Sequence, residues 1–182
     1  MSMSPELHLR FDALEAQRLL VQKTVVALGD VQQTWAPNPQ TWSCRAIVEH
    51  LVLSDETVGR AFSADTLPTE AAMFRVLPRA LRRRLINRAL ARDRVLPLPG
   101  AAIEPQGTTS LDELVARWNA ARQAMRTALE TVPPDVAQFF HPVIGPLTGH
   151  QMLDLSQTHT AYHTRQMQAL MDTPAFPPQT SM

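Results

Sequence analysis

The sequence predicts a single all-helical domain built as a four-helix bundle. Apolar residues recur at steps of three and four in several long segments, which is the spacing of one helix face. We find no run of alternating apolar and polar residues of the kind that a half-buried strand shows. The length of 182 residues suits one domain, and the 45% of hydrophobic residues can fill one core.

The first two bundle helices are predicted over residues 6–28 and 43–62. Arg18 interrupts the apolar stripe of the first helix, and we expect its stem to pack while its charged head reaches water. Gly29 closes this helix, and a proline-containing connector follows. Ser43 is a good N-cap for the second helix, which carries His50 on the shoulder of its apolar stripe.

The other two bundle helices begin at capping boxes. Ser110 with Glu113 opens the third helix, and the prolines at 133–134 stop it. Thr148 with Gln151 opens the last helix, which is predicted to run to about residue 171. The bundle domain is therefore expected over residues 1–172, with a flexible, proline-containing tail at 173–182.

An insertion is predicted between the second and third bundle helices, over residues 68–107, as a helical segment followed by a Pro/Gly-rich loop. Between residues 79 and 94 it carries a single acid, Asp93, and seven arginines: Arg79, Arg82, Arg83, Arg84, Arg88, Arg92 and Arg94. We interpret this segment as an amphipathic helix whose charged face pairs with acidic surface elsewhere or with a second subunit. A surface for nucleic acid or an anionic ligand is the alternative.

The overall charge and the lengths of the apolar runs bear on the class of partner and on the compartment. The 17 basic and 17 acidic residues cancel, so net charge indicates neither nucleic acid nor a membrane as the main partner. No apolar run approaches the roughly 20 residues needed to cross a bilayer. One cysteine, Cys44, cannot form an intramolecular disulfide, which fits a reducing compartment. We expect a cytoplasmic protein, and its helix faces leave a homodimer open.

Two histidines of the last helix, His159 and His163, are four residues apart and therefore lie on one face. Such a pair can share a metal ion, but a third ligand must come from another helix. His50 is the natural candidate, because it lies mid-helix beside a core stripe. The alternative is three packed histidines with one hydrogen bond each; the spacing favours it, whereas the cost of burying three polar rings without a shared partner favours the metal.

Other polar side chains have less defined roles. His141 and His150 are expected at the surface or behind the ligands, and Cys44 is expected to be a small buried hydrophobe. Tyr162 either supplies a hydroxyl or faces a neighbouring helix. Thr160 follows His159, so the His-Glu-x-x-His pattern of metalloproteases is absent. Four side chains could accept the second ring proton of a ligand histidine: Ser54, Asp55, Asp154 and Gln166.

Two motifs resemble the DinB-like (YfiT-like) superfamily. The first is WAPNPQTWS, which begins at Trp35 and is followed by His50. The second is HPVIGPLT, which begins at His141 and is followed by HTAYHTRQ from His159. The resemblance spans about residues 7–172, apart from much of 68–107. It implies a four-helix bundle with a long crossover, and metal ligands at His50, His159 and His163.

The resemblance also implies metal-dependent enzymes that act on low-molecular-weight thiols: S-transferases, thiol-dependent isomerases and amide hydrolases. Three neutral imidazoles leave a coordination position open, as reactive sites do. Imidazole nitrogen does not select one metal, and we expect Zn or Ni, with a low-molecular-weight thiol as a further cofactor candidate. We therefore expect a thiol-linked transferase or hydrolase with a small-molecule substrate. The alternative is a non-catalytic bundle, stress-related or an interaction protein, whose metal is structural or absent.

Overall fold

The computed structural model describes residues 3–62, 77–92 and 101–178, and the fold of these residues is mainly helical. The α-helices are α1 (Pro5–Val26), α2 (Asp30–Thr34), α3 (Cys44–Val58), α4 (Arg79–Leu90), α5 (Leu111–Thr131) and α6 (Gly149–Met171). A 3-10 turn, Ala101–Ile103, precedes α5, and a short antiparallel hairpin of β1 (Phe139–His141) and β2 (Gly145–Leu147) precedes α6. The predicted all-α bundle is confirmed, whereas parts of the predicted insertion and tail lie outside the described residues.

Four helices, α1, α3, α5 and α6, form the bundle, in which α1 and α3 each pack against both α5 and α6. The predicted N-caps are present. The hydroxyls of Ser43, Ser110 and Thr148 each accept the backbone N–H three residues further on. At α6 the capping box is complete, because the Gln151 side chain also accepts the Thr148 N–H. None of the described helices is long and apolar enough to cross a bilayer.

The bundle core consists of two apolar clusters, and each bundle helix contributes to both. On each of the four bundle helices, a polar side chain lies between the residues of one cluster and those of the other. These side chains are Arg18 on α1, Asp55 on α3, Arg122 on α5 and His163 on α6. All four of these side chains are buried. The core therefore has a polar layer between two apolar halves.

Hydrogen bonds and ion pairs connect most of this polar layer. Trp118 Nε1 donates to Asp55, and Arg122 lies 2.9 Å from the same carboxylate. Burial raises the pKa of Asp55, and Arg122 and Trp118 oppose that rise. The expectation that the Arg18 head reaches water is wrong. That guanidinium is buried, because Glu15 at 2.8 Å and the Asn119 carbonyl oxygen satisfy it inside the bundle.

Two local features differ from the sequence prediction. Helix α3 ends at Val58 rather than near residue 62, and Gly59 follows it in close contact with α5. A side chain there would meet Met125, since an added Cβ would lie 2.9 Å from its Cε. The hairpin was also not predicted, and Ala61 forms a bridge with its first strand. Its strands have only three residues each, too few to show an alternating pattern, and Gly145 has a φ of 92° that suits the turn.

Helix α4 confirms the expected helix in the arginine-rich segment, of which residues 93–94 lie outside the described part. It packs on α6, where Arg165 donates to the Leu90 carbonyl at 2.9 Å. Arg82 of α4 is buried and donates to the Val143 carbonyl in the hairpin at 2.6 Å. After α6, the ring of Phe176 lies 5.5 Å from that of Trp35, so this part of the chain contacts the bundle.

Candidate metal centre

Three histidines from two helices converge in the bundle. His159 Nε2 lies 3.1 Å from His50 Nε2 and 3.0 Å from His163 Nε2. The four-residue spacing on α6 brings its two rings together edge to face, with centroids 4.6 Å apart, and the packing of α3 on α6 brings in the third. Among the described residues, these three alone form a group of histidine, cysteine or carboxylate side chains close enough to share an ion.

The outer ring nitrogens of two of these histidines have hydrogen-bond acceptors. His50 Nδ1 lies 2.7 Å from the Ile103 carbonyl, which can only accept, so Nδ1 carries the proton. Gln166 Nε2 donates to the Tyr162 hydroxyl, which leaves Gln166 Oε1 to accept from His163 Nδ1 at 2.7 Å. In both neutral rings Nε2 is therefore a bare lone pair, and both lone pairs face His159.

This arrangement fits a metal ion. A proton on His159 Nε2 can satisfy only one of the two facing lone pairs, whereas one cation can satisfy all three rings. Imidazole nitrogens at 2.0–2.1 Å from a tetrahedral ion are about 3.4 Å apart. The two distances from His159 Nε2, 3.0 and 3.1 Å, are close to that value, and the ligand atoms of all three rings lie within 4.8 Å of one another. Acceptors behind the ligand rings are also what metal-binding histidines normally have. The described residues of the site therefore suit a divalent metal.

The surroundings keep the three rings neutral. His50 and His163 are buried and His159 is partly exposed. Burial is the first cause that lowers the pKa of each ring. It lowers that of His163 to about 3, helped by the His50 charge and opposed by the Gln166 hydrogen bond. The pKa of His159 lies well below its usual value, because the charges of His163, His50 and His141 add to burial. Neutral imidazole is the form that binds metal.

An aromatic wall closes one side of the cluster. The Trp42 ring lies 4.7 Å from the His50 ring and is stacked 6.0 Å from the His163 ring. Trp42 directly precedes the N-cap of α3, so the start of that helix places it. This tryptophan lies in the WAPNPQTWS motif but was not predicted as a site residue. Nothing in its spacing distinguished it from an ordinary core aromatic.

The structure separates the four candidate acceptors. Gln166 does accept from a site histidine. Asp55 belongs to the polar layer, and Asp154 pairs with Arg10 at the surface. The buried Ser54 hydroxyl has no hydrogen-bond partner within the described part of the chain. The acceptor behind His50 is the Ile103 carbonyl, which was not predicted. Every residue has a backbone carbonyl, so only the folded structure shows which one lies next to the His50 ring.

The remaining candidates lie beside the cluster or away from it. His141 Nδ1 accepts the Val143 and Ile144 N–H groups, and burial lowers its pKa to about 4. His150 lies 3.9 Å from the exposed Glu6 and is not in the cluster.

Two further side chains near the site are buried. Burial raises the pKa of the Cys44 thiol to about 11, which suits the expected buried hydrophobe. Tyr162 is buried as well, and its hydroxyl accepts from Gln166, so it supports the site through that amide.

A bundle in which one histidine of α3 meets two of α6 defines a class of helical proteins with a candidate three-histidine metal site. The sequence profile of the DinB superfamily matches residues 13–167. The chain therefore belongs to the DinB superfamily. Comparison with the curated proteins and with the solved structures gives no significant match.

Proposed function

We propose that the protein is a divalent-metal-dependent enzyme, a thiol-linked S-transferase or a hydrolase that acts on a small molecule, with His50, His159 and His163 as the metal ligands. The convergence of these three rings, two of them with bare Nε2 atoms aimed at the third, carries the proposal. The reaction class comes from the family resemblance. Zn or Ni as the metal, a low-molecular-weight thiol, a cytoplasmic location and one bundle domain over residues 1–172 belong to the same proposal.

The residues around the metal centre would have different roles in such an enzyme. The Ile103 carbonyl and Gln166 hold the outer protons of two ligands, so that their inner nitrogens stay available. His159 is the ligand with solvent exposure, which makes its side the approach for a small molecule. Bound there, a divalent ion supplies a Lewis acid that lowers the pKa of a water or thiol ligand. No cysteine or carboxylate among the described residues joins the cluster, so a fourth position is left for such a ligand.

Elemental analysis tests the site first. Purified wild-type protein is expected to carry roughly one divalent ion per chain, and His159→Ala much less, because two ligands hold a metal weakly. The metal-loaded protein is then assayed with low-molecular-weight thiols plus electrophiles, and with amides. Turnover that His159→Ala loses supports the proposal. A metal-loaded protein without any turnover would favour the non-catalytic alternative. Equal metal content in wild type and His159→Ala would show that the three histidines are not the metal site.

A further inference from the structure

Helix α1 is apolar on two opposite faces. One face is buried in the core and includes Leu7 and Phe11. The other is exposed, and Leu9 and Leu20 there have exposed fractions of 73% and 58%. The outer face of a bundle helix usually carries charged and polar residues. An exposed face on which apolar residues predominate indicates a contact surface.

The outer face of α1 has the spacing of a helix-pairing stripe. Its members lie alternately four and three residues apart, as in coiled coils: Leu9, Ala13, Ala16, Leu20, Lys23 and Ala27. Leu19 and Val26 are exposed along one edge of it. Four of the nine large apolar residues that are exposed in the described part of the chain lie on α1. We call this surface the outer stripe.

We propose that the outer stripe pairs α1 with α1 of a second copy of the chain, in antiparallel orientation. A two-fold axis near residue 18 then sets large side chains against small ones, with Leu9 opposite the partner's Ala27 and Ala16 opposite the partner's Leu20. A parallel pair would stack alanine on alanine, which leaves gaps in the packing.

Charge complementarity supports the same orientation. Asp12 lies on the same side of the outer stripe's midline as Lys23, so the two-fold axis brings Asp12 beside the partner's Lys23. Asp12 already lies 3.8 Å from Arg126, and exposed ion pairs contribute little. The charges therefore set the direction of the pair, and the apolar stripe supplies most of the affinity.

Sedimentation velocity tests the pairing. Wild-type protein is expected to be a dimer, and L9E/L20E a folded monomer whose association is weaker by more than about 30-fold. The control L81E/L85E changes two leucines exposed on α4 and is expected to stay dimeric. A monomeric wild type, or a dimeric L9E/L20E, would overturn the proposal. Orientation is tested by oxidation: A16C/L20C should crosslink between copies, whereas crosslinking of A16C alone would indicate the parallel pair.

A separate observation concerns Glu49, which directly precedes His50 on α3. Its side chain hydrogen-bonds to the loop before α5 rather than to the metal centre. It is 3% exposed, and its carboxylate accepts the Gly107 N–H at 2.7 Å and the Thr109 hydroxyl at 3.2 Å. One turn earlier, Arg45 donates to the Gly107 carbonyl at 3.3 Å. Gly107 has a φ of 72°, a conformation that suits glycine. Side chains of helix α3 thus bind both the backbone N–H and the backbone carbonyl of Gly107.

The same loop contains the Ile103 carbonyl that accepts from His50 Nδ1. We infer that Glu49 is a positioning residue: by holding residues 103–109 it keeps this carbonyl on His50 and so leaves His50 Nε2 bare. This second inference rests on the proposed function, because the role it gives Glu49 is in metal binding.

Glu49→Leu tests this role, since leucine fills the buried space without an acceptor. Zn²⁺ affinity, measured by competition with a chromogenic chelator, is expected to fall about tenfold. Glu49→Gln should stay close to wild type, because its amide can accept from Gly107 and donate to Thr109. Glu104→Leu, at an exposed acid of the same loop, is the matched control and should not change the affinity.

The His50 tautomer gives a second readout in metal-free protein. ¹⁵N NMR is expected to show the proton on Nδ1 in wild type and a mixture of tautomers in Glu49→Leu. If wild-type protein binds neither zinc nor nickel, the proposed function fails, while the tautomer still tests Glu49. Unchanged affinity and tautomer in Glu49→Leu would show that the residue does not position His50. Should that variant not fold, Thr109→Val takes its place, with a smaller expected change in the same direction.

Discussion

Replacement of His163 by glutamine should flatten the dependence of the unfolding free energy on pH in metal-free protein. The pKa of His163 is lowered to about 3 in the folded protein, against an ordinary value of 6.5. Below 6.5 the unfolded chain therefore takes up a proton that the folded protein refuses. This lowers the stability as the pH falls from 6.5 towards 3, and has almost no effect above 6.5.

The magnitude follows from that shift. Each pH unit below 6.5 costs about 1.4 kcal/mol for one such group, so His163 lowers the unfolding free energy by about 2 kcal/mol at about pH 5. The value is insensitive to the folded-state pKa, because pH 5 lies well above it. The other site histidines remain in both proteins, so most of their own pH dependence cancels in the difference.

The assay is urea unfolding at about pH 7.5 and about pH 5 with a chelator present. Wild type should lose about 2 kcal/mol more than His163→Gln between the two conditions. His8→Gln, at an exposed histidine on α1 outside the cluster, is measured alongside as the control for replacing an imidazole by an amide. Equal losses in wild type and His163→Gln would mean that this ring titrates as it does in water. The reasoning that places it in a buried, converging cluster would then be refuted.

Three further outcomes follow from the site and the polar layer. Gln166→Leu removes the acceptor behind one ligand and should lower metal affinity about 10–100-fold in chelator competition; wild-type affinity would contradict this. Nickel binding should quench tryptophan fluorescence, because the Trp42 ring lies 4.7 Å from the His50 ring, and Trp42→Phe should lose most of the quenching. Asp55→Ala leaves Arg122 without its buried carboxylate and should cost about 3–5 kcal/mol in urea unfolding, whereas a cost below about 1 kcal/mol would argue against the ion pair.

The sequence predicted the features that depend on local pattern. The bundle helices follow from the three- and four-residue spacing of apolar residues, and their starts follow from caps such as Ser110 and Thr148. The histidine pair on α6 follows from helical periodicity in the same way. His50 was the candidate for the third member because it lies mid-helix beside a core stripe. The family resemblance strengthened that choice, since spacing within one helix does not say which other helix lies opposite.

Features that depend on the fold could not be predicted in this way. The partners of Arg18 show the difference, since Asn119 is distant in sequence and comes into contact only when α1 packs on α5. The Ile103 carbonyl is a similar case, because a backbone acceptor has no residue type that identifies it. Both contacts join elements that are far apart in the chain, where a polar group is satisfied by whatever tertiary neighbour the packing provides.

The polar layer restricts how the helices can move. A slide of α5 by one turn, about 5.4 Å, would carry Arg122 away from Asp55 and into one of the apolar clusters. That displacement would leave a buried charge without its partner, which is costly, so the polar layer fixes the register in which the helices pack. The position of α3, which carries His50, is thereby held against α5 by Asp55 and Arg122, neither of which belongs to the histidine cluster. Mutations far from the three rings can consequently change the relative positions of these rings without replacing any of the three histidines.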